Sequence, residues 1–150
     1  MQFMTATYTQ AETVFITVGN NEGTELIAGT VVEFDITATD ADQGHLVEKV
    51  DVAVNETTGI AAPLAGVVYK AIPTGEVGRV QIYGPATVRV NTTITAGRLA
   101  VATSANVAPT GVAVADVQTT TTNAMYNAAV LGVSMESVSA TESRIQLNCM

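Results

Sequence analysis

Alternation of apolar and polar residues is the feature of this sequence that most limits its fold. Residues 31–40, VVEFDITATD, alternate in this way over most of their length. Successive side chains of a β-strand point to opposite faces of a sheet, so a period of two predicts a strand with one buried face. Similar stretches, separated by Gly, Asn, Asp and Pro, are TVFITV, VDVAVN, VGRVQIY, ATVRV, RLAVAT, GVAVADV, LGVSMESV and RIQLNCM. About nine short strands divided by turns predict an all-β fold, either a small β-sandwich or a barrel-like domain with long loops.

The alternation also assigns side chains to faces. In residues 31–40 the predicted inward residues are Val32, Phe34, Ile36 and Ala38, and the predicted outward residues are Glu33, Asp35, Thr37 and Thr39. In residues 77–90, VGRVQIYGPATVRV, they are Val80, Ile82, Ala86, Val88 and Val90 inward, and Arg79, Gln81, Tyr83, Thr87 and Arg89 outward. The Gly84-Pro85 pair within this run predicts a bend or bulge on a sheet edge, because proline cannot donate to a central ladder.

The length of 150 residues predicts one domain, at residues 13–150, preceded by an extended N-terminal arm at residues 1–12. The arm, MQFMTATYTQAE, is nearly uncharged and carries Phe3, Met4 and Tyr8. Chain termini are often free tails, but disordered tails are usually rich in charge and poor in aromatic residues. We therefore expect an arm that becomes ordered on a neighbouring surface, for example by adding a strand to it.

Negative charge dominates the chain and limits its partners. Six Lys and Arg residues against fourteen Asp and Glu residues give a formal net charge of −8. Nucleic acids and anionic membranes attract basic surfaces, so neither is an expected partner. Residues 1–76 contain eleven acids and two lysines, whereas residues 77–150 contain three acids and four arginines. The nearly neutral second part is therefore suited to packing against a copy of itself or against another protein.

Two arginines of the second part, Arg79 and Arg89, have two possible roles. Arginine is common at protein interfaces because its planar guanidinium pairs with carboxylates through two parallel hydrogen bonds. On the outer face of the 77–90 ribbon, together with Tyr83, the two arginines would meet a sister subunit or another protein. Alternatively, they pair within the chain with acids such as Glu33 or Asp35.

Residues suited to catalysis or metal binding are sparse. His45 is the only histidine, and in the polar stretch DADQGHLVE we expect it to be a solvated loop side chain. No nucleophile elbow or phosphate-binding loop is present. Asp40 and Asp42 are similar to the start of a calcium loop, whose later acidic ligands are missing. Cys149, the only cysteine, is expected to fill a core or rim position as a small hydrophobic residue. We expect no cofactor, no bound metal and no enzymatic activity.

The order of Gly- and Val-rich stretches in the second half is distinctive. The stretches are GIAAPLAGVV, GEVGRVQIYGPATVRV, TAGRLAVATSANVAPTG and AVLGVSMESVSATESRIQLNCM. This succession covers about residues 59–150, with gaps, and resembles the small capsid decoration (cement) proteins of tailed bacteriophages. In that family a Gly-Ile-Ala segment, a Gly- and Val-rich ribbon, an Ala-Gly turn and a Leu-Gly motif follow one another in this order. The segment NVAPTGVAVADVQTTTTNAMYN departs from the compact pattern of the family.

The resemblance implies a β-rich viral structural protein on the outer surface of the virion. As a homotrimer it would bind the major capsid protein of an icosahedral head and stabilise the contacts between neighbouring capsid subunits. Many identical weak contacts on a repeating lattice would give high avidity. The side chains that we expect at interfaces are Phe3, Met4, Tyr8, Arg79, Tyr83 and Arg89.

Two other functions stay open at this point. One is a non-catalytic β-sandwich binding module, or an adhesin or fibre domain. Such a module would use exposed aromatic residues in a groove, whereas aromatic residues are scarce here and Trp is absent. The other is a hydrolase, which would have to use the single histidine, His45.

Overall fold

Nine strands form the regular structure of the computed structural model, which describes residues 12–36, 44–50, 63–90, 94–103, 113–116, 130–137 and 141–149. They are β1 (Val14–Asn20), β2 (Val31–Phe34), β3 (Leu46–Lys49), β4 (Leu64–Val68), β5 (Val77–Arg89), β6 (Leu99–Thr103), β7 (Ala113–Asp116), β8 (Val130–Ser134) and β9 (Glu142–Asn148). None of the described residues is helical and about 59% of them lie in strands, which confirms the all-β prediction. This part of the chain accordingly has no helix long and apolar enough to cross a bilayer.

Five of the strands close into a barrel. Around the barrel the order is β1-β3-β2-β4-β5, and β5 pairs back with β1. The β1–β3 pair is parallel and the other four pairs are antiparallel. The remaining strands continue the same sheet outward from β5 in the order β9-β8-β6-β7. The fold is therefore the barrel-like alternative of the prediction, extended on one side by a four-stranded sheet.

The long strand β5 belongs to both parts. It pairs with β1 from Val77 to Tyr83 and with β9 from Tyr83 to Arg89. At the junction Gly84 has a φ of 92°, which residues with a Cβ atom rarely adopt. A Cβ atom here would also overlap the carbonyl oxygen of Glu12. The Gly84-Pro85 pair thus marks the point at which β5 changes its partner strand.

The prediction of an edge position for Gly84-Pro85 is wrong for β5 as a whole, since this strand is central in the sheet. Pro85 is tolerated because its backbone nitrogen, which has no hydrogen to donate, faces away from β9. Ile82 accepts a hydrogen bond from the backbone of Cys149, and Val90 donates one to Thr141. The backbone N–H and C=O groups of the even-numbered residues of β5 therefore point toward β9. Because these groups alternate in direction along a strand, the backbone nitrogen of Pro85 points away from the β9 ladder.

A side chain satisfies the backbone on the side of β5 that faces away from β9. The Nε2 atom of Gln81 donates hydrogen bonds to the carbonyl oxygens of Tyr83, at 3.1 Å, and Pro85, at 3.0 Å. Gln81 is only 5% exposed, so its predicted outward position is wrong. It lies opposite Val67 of β4, whose side chain packs in a second core outside the barrel. That core covers the outer face of β5 at the position of Gln81, whereas Val77 and Arg79, earlier on the same face, stay exposed.

Two hydrophobic cores lie on opposite faces of a shared wall. The barrel core contains Val18, Leu26, Val32, Val47, Ala65, Val68, Ile72 and Val80, with Ile16 and Phe34 packed against it. The second core contains Val31, Val50, Val67, Ala86, Val88, Val90, Ile94, Ala100, Leu131, Ile145 and Leu147. Adjacent residues divide between the cores: Val31 and Val67 pack outside the barrel, whereas Val32 and Val68 pack inside. Strands β2 and β4 are consequently buried on both faces.

The faces predicted for Glu33, Asp35 and Ile36 are wrong, whereas Phe34 packs against the barrel core as predicted. Glu33 and Asp35 are buried, at 4% and 2% exposure, whereas Ile36 is 47% exposed. Glu33 lies on the same face of β2 as Val31, which belongs to the second core, so the face predicted to meet solvent is covered. The carboxylate of Asp35 accepts a hydrogen bond of 2.6 Å from the side-chain amide of Asn21.

Two barrel strands, β3 and β4, are not predicted by alternation. LVEK of β3 is short, and LAGVV of β4 is apolar on both faces because it divides two cores. Other predictions lie outside the described residues. They concern residues 1–11 of the arm with Phe3, Met4 and Tyr8, the acids Asp40 and Asp42, and all of VDVAVN beyond the buried Val50.

Candidate interaction surface

An arginine held between two aromatic rings is the most distinctive exposed feature of the described surface. The guanidinium carbon of Arg79 lies 5.4 Å from the centre of the Phe15 ring and 5.5 Å from that of the Tyr69 ring. The two rings meet edge to face, with centres 5.0 Å apart and an interplanar angle of 69°. The Nζ atom of Lys70 lies 5.9 Å from the centre of the Tyr69 ring. We call Phe15, Tyr69, Lys70, Val77 and Arg79 the Arg79 patch.

The register of three barrel strands brings these side chains together. Phe15 of β1 lies opposite Gln81 of β5, so Arg79 is its diagonal neighbour on the same face. Diagonal neighbours are within reach of aromatic and other long side chains. Just beyond β4, the backbone N–H of Tyr69 donates to the carbonyl oxygen of Arg79 at 3.1 Å. Val77 precedes Arg79 by two residues, which places both side chains on one face.

The Arg79 patch is exposed and positively charged. Tyr69 is 46% and Val77 68% exposed, and Lys70 and Arg79 are exposed as well. Among the residues that the structure describes, no carboxylate forms an ion pair with Lys70 or Arg79. Cation–π contacts are worth about 0.5–1 kcal/mol each at exposed sites. The rings therefore hold the arginine in place while its charge stays open to a partner.

The three ribbon residues proposed from the sequence do not form one surface. Tyr83 is half-buried at the junction, opposite Val14 of β1 and Asn148 of β9. Arg89 lies opposite Glu142 at the far end of β5, and its stem packs against Gly29. At about 3.3 Å per residue, Arg79 and Arg89 are roughly 30 Å apart along the strand. Arg79 stacks on aromatic rings instead of pairing with Glu33 or Asp35.

A cavity of about 270 Å³ adjoins the patch. Tyr69 belongs to both, and the other lining residues are Ala28, Gly29, Val67, Val68, Gln81, Pro85, Ala86, Thr87 and Glu142. The cavity lies beside β5, between Gln81, which is opposite Val67 of β4, and Arg89, whose backbone N–H donates to the carbonyl oxygen of Gly29. Its lining contains one carboxylate and otherwise neutral side chains. Such a lining is suited to polar and apolar contacts.

The reactive residues singled out in the sequence, His45 and Cys149, belong neither to the Arg79 patch nor to the lining of the cavity. His45 is exposed, as predicted. Cys149 packs against the second core, and its Sγ atom lies 3.7 Å from the carbonyl oxygen of Leu131. Burial raises the pKa of the Cys149 thiol to about 11, so the reactive thiolate is scarce near neutral pH. In the described part of the chain, no three His, Cys, Asp or Glu residues are placed to hold a metal ion.

Sequence reasoning misses four of the five patch residues. The alternation in TVFITV puts Val14, Ile16 and Val18 on one face, which leaves Phe15 on the other, and this was a usable signal. Tyr69 and Lys70 follow β4, which alternation does not predict, so no strand placed them next to Arg79. Val77 gave no signal beyond its position in the ribbon.

The architecture is that of a small all-β protein in which a closed barrel is extended by a sheet. Its fold matches a solved structure, "The crystal structure of head fiber gp8.5 N base in bacteriophage phi29", with a TM-score of 0.56. The match covers 92% of this chain and 96% of that chain, at 11% sequence identity. At this identity the likeness shows a shared fold and nothing about individual residues. No protein-family model matches the sequence, and no curated protein does so either.

Proposed function

We propose that this chain is a structural protein of a bacteriophage virion. The observation that carries the proposal is the fold, which matches the base of a phage head fibre over 92% of the chain. The motif order in residues 59–150, which resembles phage decoration proteins, is a separate line of support because it comes from sequence and not from the fold. Both lines lead to proteins of the phage head.

More specifically, we propose that the chain is a decoration protein. It binds as a homotrimer to the outer surface of the head and stabilises contacts between major capsid proteins. Support comes from the Arg79 patch, because arginine and tyrosine are the residue types that most often dominate binding at protein interfaces. Binding is then the whole function, with no substrate turned over.

Head binding is tested by cosedimentation of the purified chain with shells assembled from the major capsid protein of the phage that encodes it. We expect saturable binding with a fixed number of copies per shell. Decorated shells should also resist heating better than bare shells, since a ligand that binds only the assembled state stabilises it. Absence of binding to intact shells would contradict the decoration role.

The trimer is tested by light scattering after size exclusion, on the full chain and on a chain that lacks residues 1–12. A mass of three times 15.5 kDa is expected for the full chain. Survival of the trimer without the arm would assign assembly to the barrel and leave the arm for the capsid. Loss of the trimer would make the arm the assembly device. Monomers in both samples would contradict the trimer and favour a β-sandwich binding module or fibre domain.

A further inference from the structure

We propose that the Arg79 patch is a subunit interface, at which one copy of the chain binds an acidic surface of a second copy. This inference deepens the proposed homotrimer and rests on it.

The chemistry of the patch is that of a carboxylate-binding surface. Lys70 and Arg79 offer two positive charges that no described carboxylate neutralises. A guanidinium binds a carboxylate through two parallel charge-assisted hydrogen bonds, which are stronger than neutral ones. The exposed side chains of Tyr69 and Val77 supply apolar surface beside these charges. Burying that surface at the same contact excludes water from the hydrogen bonds.

The arginine is already ordered before any partner binds. Two rings, those of Phe15 and Tyr69, hold its guanidinium at 5.4 and 5.5 Å. A free arginine side chain loses conformational entropy when a partner fixes it, and preorganisation reduces that cost. The Arg79 side chain is therefore preorganised for binding, whereas a fully solvated arginine side chain is not.

The charge of the chain argues for a second copy as the partner. Without Lys70 and Arg79, the sequence has four positive and fourteen negative residues. Two copies therefore repel each other over most of their surfaces. The patch is a place where the positive charges of one copy attract the acidic surface of another. Glu25 is an example of an exposed carboxylate that a second copy presents.

A contact between a basic patch on one copy and an acidic surface on the next is heterologous. Heterologous contacts close into rings when the rotation between copies allows it. Such an interface is compatible with a three-membered ring. It also fixes the register of the copies, because any other alignment brings like charges together.

The test reverses charges in the full chain and measures mass by light scattering over a series of protein concentrations. The variants are Arg79→Glu and Lys70→Glu, and the matched control is Arg98→Glu, an exposed arginine outside the patch. The wild type and the control should form the same oligomer. We expect the two patch variants to raise the dissociation constant at least about 30-fold, in the range seen for broken interfacial charge pairs. Circular dichroism and thermal melts establish that each variant is folded.

Three results would overturn the inference. The first is that folded patch variants assemble as well as the Arg98→Glu control. The second is that the wild type is a monomer, while shell cosedimentation separately decides the virion role. The third is that the patch variants remain oligomeric but no longer bind shells, which would assign the patch to an acidic surface of the capsid protein.

Discussion

The side-chain amide nitrogen of Gln81 lies 3.0 Å from the carbonyl oxygen of Pro85 and donates a hydrogen bond to it. The same nitrogen donates to the carbonyl oxygen of Tyr83 at 3.1 Å. One buried side chain thus spans the junction at Gly84, where β5 leaves the barrel and joins the outer sheet. The stability of the fold should therefore depend strongly on this junction.

Replacement of Gln81 by Leu should lower the free energy of unfolding by about 1–3 kcal/mol. The substitution leaves two backbone oxygens without their donor in a partly buried environment, and unsatisfied groups with reduced access to water carry a cost of this size. Urea denaturation followed by circular dichroism measures the change. The matched control is Gln146→Leu on the half-buried Gln146 of β9, for which about 0.5 kcal/mol or less is expected. Equal effects of the two substitutions on the free energy of unfolding would contradict a special stabilising role of Gln81 at the junction.

Replacement of Gly84 by Ala should destabilise the protein more than replacement of Gly75 by Ala. Both glycines have positive φ, 92° and 75°, so both variants incur a backbone strain of about 1–2 kcal/mol. At Gly84 the new Cβ atom also meets the carbonyl oxygen of Glu12, whereas at Gly75 nothing lies within 4 Å. We expect an additional loss of about 1 kcal/mol or more at Gly84. Thermal melts of the two variants side by side test this difference.

The two cores should unfold together. Leu26 is fully buried in the barrel core and Leu131 in the second core, so Leu→Ala at either position should cost about 2–5 kcal/mol. Because β5 passes through both parts and β2 and β4 carry side chains in both cores, each substitution should shift a single common transition. Calorimetry tests this by comparing the calorimetric enthalpy with the van't Hoff enthalpy. A separate second transition in either variant would show that the barrel and the outer sheet are independent units.

Stability should fall between about pH 9 and pH 11 because of Cys149. Its pKa is raised by burial from 9.0 to about 11, so in this window the folded protein keeps a proton that the unfolded chain has lost. The resulting decline is at most about 1.4 kcal/mol per pH unit, and it is absent below pH 9, where both states are protonated. Urea denaturation at several pH values measures it.

A Cys149→Ala chain is the reference for this decline, since other groups that titrate in the same window contribute equally to both chains. The difference in stability between the two chains should shrink as the pH rises. A difference that is independent of pH would contradict the raised pKa. Thiol reagents should also react with Cys149 much faster in urea than in the folded protein, because burial suppresses the thiolate.

Local patterns predicted much of the outer part of the fold. The alternation in residues 86–90 placed Ala86, Val88 and Val90 inward, and all three are buried. The strands in RLAVAT, GVAVADV and RIQLNCM were recognised for the same reason. The Gly84-Pro85 signal was also informative, although it marks an exchange of partner strands within a central strand.

The candidate surface was predicted only in part. Arg79 was identified as an outward, interface-forming residue, and the structure leaves it exposed. Its ring partners come from β1 and from the end of β4, and their proximity depends on strand register. Register between distant strands has no signature in a single sequence.

The sequence by itself determined the all-β character of this protein, because strand alternation depends only on neighbouring residues along the chain. It also determined the strong negative charge that makes the Arg79 patch unusual. Only the tertiary structure decided that Glu33, Asp35 and Gln81 are buried and that Ile36 is exposed. For Glu33 and Gln81 the physical reason is that the outer sheet, formed by strands later in the chain, contributes the second core that covers this part of the barrel wall. For Asp35 it is the contacts with Asn21 and Leu46 of neighbouring barrel segments. Whether a polar side chain meets solvent or protein is set by those distant segments of the chain.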